Sequence, residues 1–197
     1  MNHCATSTKP TFWQKISQQR LPAGYQAGMT LNRLEHDLRP YPCKRPGIGE
    51  LLVKPDEQLT IQVSERVKTL FMAFIVYTRF SVSGTISQSY HADIQVRTGG
   101  SLRKKQVRFI SKQEDGFAVI EQLEQYPIIR KTLEELDFRF FNLTIREGKW
   151  CCEIEHFAAS EMVCRLPMAR RYLRLIEEQR YRLLSALHLM HQLMKKL

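Results

Sequence analysis

A chain of 197 residues with 43% hydrophobic and 25% charged residues has room for one well-buried core, and this ordinary composition excludes general disorder. Its formal charge of +10 says nothing about fold but points to anionic partners. The longest uncharged apolar run, Leu70 to Tyr77 between Lys68 and Arg79, is eight residues. A bilayer-crossing helix needs about 20, so the sequence offers no transmembrane segment.

Residues 1–22 are polar, without a sustained period, and read as an N-terminal tail; residues 23–197 read as a single α+β domain. In the tail, Phe12, Trp13 and Ile16 can anchor one turn of helix, and Lys9, Lys15 and Arg20 would flank it. No apolar h-region or small-residue cleavage site marks a secretory signal. Five cysteines, an odd number without framework spacing, suggest free thiols in a reducing compartment, and the expected location is cytoplasmic.

Thr30 offers an N-cap for a helix that buries Leu31, Leu34 and Leu38 and stops at Pro40. "YPCKRPGIG" reads as a Pro/Gly-rich connection. "LTIQVSE" alternates as a half-buried strand, and a long central strand follows from about Leu70 to Val82. "YHADIQVR" alternates again with Tyr90, Ala92, Ile94 and Val96 inward. Gly99 and Gly100 open a hairpin tip from which Val107 and Phe109 return. Asp115 can cap a helix holding Phe117, Ile120 and Leu123, and Pro127 suits the first position of its continuation, with Ile128, Leu133 and Leu136 inward.

"NLTIREGKWCCEI" is the clearest hairpin. With Glu147-Gly148 as a two-residue loop, Ile145 faces Trp150, Leu143 faces Cys152 and Phe141 faces Ile154, while Glu153 and Glu155 take the wetter face. Residues 160–166 add a short strand, and a helix of about thirty residues is expected from Pro167 to the end. Its apolar face combines a heptad stripe (Ile176, Leu183, Met190, Leu197) with Leu173, Leu184, Leu187, Leu193 and Met194. So wide a face must be covered. The first half is expected on the sheet, and Leu187, Met190, Met194 and Leu197 in a partner contact or self-association. The sum is a mainly antiparallel sheet of about six strands, packed by a central helix and a long C-terminal helix.

"PAGYQAGMTLNRLEHDL", "VSERVKTLF", "FSVSGT" and "RRYLRLIEEQR" resemble segments of a bacterial family of unknown function. The resemblance spans most of residues 22–197 and implies a small intracellular protein with no assigned activity. The element order also resembles that of type III secretion chaperones, which tend to be acidic where this chain is basic.

The sequence carries no catalytic motif: G-x-S-x-G, the P-loop and G-x-G-x-x-G are all missing. His91 and Asp93 share an outward strand face, which simple alternation explains. Adjacent Cys151 and Cys152 point to opposite faces. Cys152 and His156 would lie about 13 Å apart in an extended strand, too far to clasp one zinc ion. His188 and His191 sit at i, i+3 without a third ligand. No catalytic residue, metal site or cofactor is therefore assigned, and a binding protein is favoured over an enzyme.

Charge is the remaining signal. Residues 97–112 hold six cations (Arg97, Arg103, Lys104, Lys105, Arg108, Lys112) and no carboxylate, whereas residues 114–137 hold seven carboxylates against Arg130 and Lys131. The six cations are candidate contacts for nucleic acid or another polyanion, with Arg103, Lys104 and Lys105 expected to be exposed. The leading expectation is an interaction protein that contacts an unknown protein partner through a sheet edge or the long helix; the alternative is polyanion binding through the basic hairpin, and an enzyme without a recognisable motif is the third.

Overall fold

The structure, a computed structural model, describes residues 21–88, 90–101 and 104–197. Among these, helix α1 (Met29–Asp37) leads into five strands: β1 (Cys43–Gly47), β2 (Glu50–Val53), β3 (Ile61–Thr69), β4 (Ala73–Thr85) and β5 (Ala92–Ser101). Strand β6 (Lys104–Ser111) follows, then helices α2 (Glu114–Glu124) and α3 (Pro127–Glu135). Strands β7 (Phe138–Arg146), β8 (Lys149–His156), β9 (Ser160–Cys164) and β10 (Ala169–Leu173) precede the C-terminal helix α4 (Glu177–Met194). The proposed tail anchors Phe12, Trp13 and Ile16 lie outside the described residues.

All pairings are antiparallel, in the order β1-β2-β3-β4-β8-β7-β5-β6, and β9 lies along β4 beyond the end of β8 with β10 outside it. The four helices pack against the sheet and one another, and the apolar residues of successive strands meet on the helix-covered face. Phe80, Ile154, Phe141, Leu143, Ile94 and Leu183 are all buried there. An antiparallel sheet tolerates water on its other side, and among the described residues no helix covers that side.

The β7–β8 hairpin has the expected register, with Ile145 opposite Trp150, Leu143 opposite Cys152 and Phe141 opposite Ile154. Glu147 and Gly148 both have positive φ, 52° and 68°, the geometry of a two-residue turn that matches strand twist. Leu31, Leu34 and Leu38 are fully buried, as their spacing predicts.

Several boundaries differ from expectation. The stretch expected to be irregular, "YPCKRPGIG", contributes β1 and its turn into β2, and Val53, opposite Cys43, is buried. Helix α1 starts at Met29 after Gly28, because Thr30 turns its hydroxyl to Glu161 and does not cap. At α2 and α3, Leu123, Leu133 and Leu136 are buried as expected, but Val119 and Ile129 join them in place of Phe117 and Ile128, which are exposed. The final helix starts at Glu177, not Pro167. Residues 169–173 pair with β9 instead, so Leu173 is a strand residue and Ile176, preceding the helix, is half-exposed. Asp37 draws this segment out of helix by accepting hydrogen bonds from Tyr172 (2.8 Å), Arg174 (2.9 Å) and the Leu175 backbone N–H (2.9 Å).

Leu187, Met190 and Met194 are buried in the chain's own core, and Leu197 packs against it. Leu187, Met190 and Met194 thus leave no free surface for the expected partner contact, and only Leu197 stays partly exposed: the wide helix face is covered by sheet strands and by α3.

Candidate binding surface

Three carboxylates, Asp37 and Glu161 buried and Glu65 part-buried, fix the helix-covered side and fall outside any site. Glu65 accepts from the backbone N–H groups of Gly28 (2.8 Å) and Leu31 (3.2 Å) at the start of α1, and Asp37 is held as described. Glu161 takes the Thr30 hydroxyl and pairs with Arg33 (3.2 Å). A buried charge persists only when paired and hydrogen-bonded, and here the pairing clamps α1 onto β3, β9 and β10.

The open sheet face carries a different cluster. Strand alternation places Tyr77 and Arg79 of β4, Glu153 and Glu155 of β8, and Phe140 of β7 on this side, because their neighbours Phe80, Ile154 and Phe141 point inward. A bulge at Arg139, between Phe138 and Phe140, lets two consecutive β7 residues reach the same face. Glu155, fully buried, is gripped from both sides: Arg79 donates through Nε (2.8 Å) and Nη2 (2.7 Å), and Arg139 reaches the other oxygen. Each arginine also lies over an aromatic ring, Arg79 over Phe140 (4.3 Å) and Arg139 over Tyr77 (3.9 Å). Beside this cluster is a shallow depression of ≈ 530 Å³ lined by Arg66, Lys68 and Thr69 as well as the two arginines. The expected wetter face for Glu155 is thus correct in side but not in solvation.

The six candidate cations divide. Arg97 and Arg108 face each other across β5 and β6, exposed on the open side. Exposed Lys112 lines a small depression with Arg97 and Asp93 at the end of β6. Lys105, expected at an exposed tip, points the other way: it shares the face of Val107 and Phe109, donates to the carbonyl of Leu136 and lies 4.7 Å from the Phe138 ring centre. Burial pushes its pKa down against the pull of Asp137. Arg103 lies outside the described residues, as does the side chain of Lys104. Val96, Val107 and Phe109 are buried, as expected.

The other singled-out residues have structural roles. Cys152 is buried and its thiol pKa is raised well above normal by burial, while Cys151 takes the opposite face. His188 pairs with Asp56 (3.2 Å) and His191 packs on Trp150 (5.8 Å between rings), so the two do not converge on one ligand. The Asp93 backbone N–H donates to the side-chain oxygen of Gln113 (2.6 Å), and the His91 backbone N–H donates to Asp115 (2.8 Å). Among the described residues no three His, Cys, Asp or Glu side chains form a metal-ligating group, and no helix is long and apolar enough to cross a membrane.

What sequence reasoning missed is the Arg79–Glu155–Arg139 cluster and two exposed apolar tips at the β3–β4 and β9–β10 turns. Strand parity could have placed Arg79 and Glu155 on the open side, but nothing in the sequence pairs β4 with β8.

Fold and surface together define an α+β protein with one helix-covered and one open, predominantly basic sheet face. The model of a family described as a protein of unknown function (DUF3156) matches residues 36–194, and the chain belongs to that family. The chain matches no curated protein and no solved structure.

Proposed function

We propose that this chain is a non-enzymatic binding module that meets an anionic ligand with the open face of its sheet. The observation that carries this reading is two like-charged cross-strand pairs: Arg97 opposite Arg108, and Arg146 opposite Lys149, all four exposed. Like charges placed directly opposite each other destabilise an antiparallel ladder. Among the described residues none of the four enters an ion pair. A polyanion laid across the face would relieve both repulsions at once.

Two further observations favour this over a protein partner at a sheet edge or at α4. The inner surface of α4 is buried, and the edge strands carry the residues that discourage strand addition, Lys44, Arg45 and Pro46 in β1 and Arg108 in β6. The free thiols of Cys43, Cys151, Cys152 and Cys164 go with a reducing, cytoplasmic setting.

Retention on immobilised heparin tests the reading. The wild-type chain should elute late, and Arg97→Ala/Arg108→Ala earlier. The salt slope should fall by up to about two units, since each phosphate that a side chain neutralises adds close to one. Unchanged elution would refute the reading.

A further inference from the structure

We propose that the anionic ligand is a lipid surface, and that two neighbouring hairpin tips insert their apolar side chains into it. The proposal rests on the anionic-ligand reading above for the sign of the partner and adds its physical form. The β3–β4 turn presents Leu70, Phe71 and Met72, and the β9–β10 turn presents Leu166 and Met168. Phe71 is 93% exposed and Met168 92%, the two most exposed of the chain's large apolar side chains among the described residues. The tips stand side by side: Ala73 pairs with Cys164, and the Arg165 N–H donates to the Met72 carbonyl (2.8 Å).

Clusters of this kind are rare on a soluble surface unless something covers them. The surrounding charge indicates what does. Residues 66–76 and 162–174 contain no Asp or Glu, and Arg66, Lys68, Arg165 and Arg171 sit behind the tips, all on the surface. The nearest acids in sequence are both held inward, Glu161 buried against Arg33 and Thr30 and Glu65 part-buried against Tyr25 and the Gly28 and Leu31 N–H groups. Apolar residues projecting from turns with cations set back along the strands match the layering of a bilayer surface, with acyl chains deep and anionic headgroups above. Arg97 and Arg108 lie on the open face of the same sheet, on β5 and β6, separated from the tip-bearing β4 by β8 and β7.

Co-sedimentation of the full chain with vesicles tests this, with heparin retention measured in parallel. Vesicles of phosphatidylcholine alone are compared with vesicles containing about 30% phosphatidylglycerol, for the wild type and for Phe71→Ser/Met168→Ser. The substituted side chains touch little, so the thermal midpoint should not move. The wild type should bind the anionic vesicles, each surface cation contributing about fivefold. The double variant should bind them at least about tenfold more weakly while keeping its heparin retention. Equal vesicle binding by the two proteins would overturn insertion by the tips. Heparin retention without vesicle binding would overturn the lipid proposal while leaving the anionic-ligand reading standing, and failure on both would remove both. Concentration-dependent self-association that the double variant abolishes, with no vesicle binding, would assign the tips to a second copy of the chain instead.

Discussion

Replacing Glu155 by Gln separates the structural and the ligand-binding roles of the open face. The carboxylate is fully buried, but its partners Arg79 and Arg139 keep 20% and 28% of their side-chain surface in water. Removing one member of a fully buried ion pair costs about 3–5 kcal/mol. Water at the two guanidinium groups, and the amide's retained volume and oxygen acceptor, reduce this to about 1–3 kcal/mol. In a domain of this size that lowers the thermal midpoint by roughly 2–12 °C. The substitution also removes one negative charge from the open face that carries Arg97 and Arg108. Affinity for heparin should therefore rise a few-fold at low salt, with a salt slope steeper by up to about one unit. Differential scanning fluorimetry and salt-dependent binding read the two effects separately. An unchanged midpoint would refute the buried-pair assignment. A lowered midpoint with unchanged or weaker binding would show that the cluster is structural and lies off the ligand's path.

Leu183→Ala, at a fully buried position on α4, should cost about 2–5 kcal/mol in urea unfolding, and a loss under about 1 kcal/mol would contradict its place in the core. Gly84→Ala should destabilise by about 1–3 kcal/mol, since a Cβ there would stand 2.9 Å from the Trp150 ring; an unchanged denaturation midpoint would refute that contact. His156 is held neutral in the fold, its pKa lowered by burial to about 4. The unfolded chain, with an ordinary histidine pKa near about 6.5, therefore binds the extra proton first. Stability should fall by up to about 3 kcal/mol as pH drops from about 6.5 to 4. His156→Gln should flatten that part of the profile, and an identical slope in the variant would assign the loss to other groups.

Local pattern was most informative where one face is buried and the turn is short. Alternation plus Glu147-Gly148 specified the β7–β8 register, and the i, i+3, i+7 leucines specified α1. Lys105 could have been placed too, since it shares the parity of Val107 and Phe109 and must leave the open face when they do. Illegible parts depend on distant partners. Residues 169–173 have enough apolar spacing to read as helix, yet pairing with β9 and the carboxylate of Asp37, 135 residues from Tyr172, decide otherwise. Arg79 meets Glu155 across 76 residues, and no local period announces that pairing. Strand β1 escaped notice because its Lys-Arg-Pro sequence is that of a guarded edge, which lacks the alternation of a central strand.

Arginine footprinting on the intact chain addresses the anionic-ligand reading most directly. Phenylglyoxal modification, read by mass spectrometry with and without saturating heparin, reports which guanidinium groups the ligand covers. Arg97, Arg108 and Arg146 on the open face should be protected, while Arg174, whose side chain is 75% exposed beside Asp37 on the helix-covered side, should react as before. Protection of Arg174 with free reaction at Arg97 and Arg108 would contradict the assignment of the open face as the binding surface.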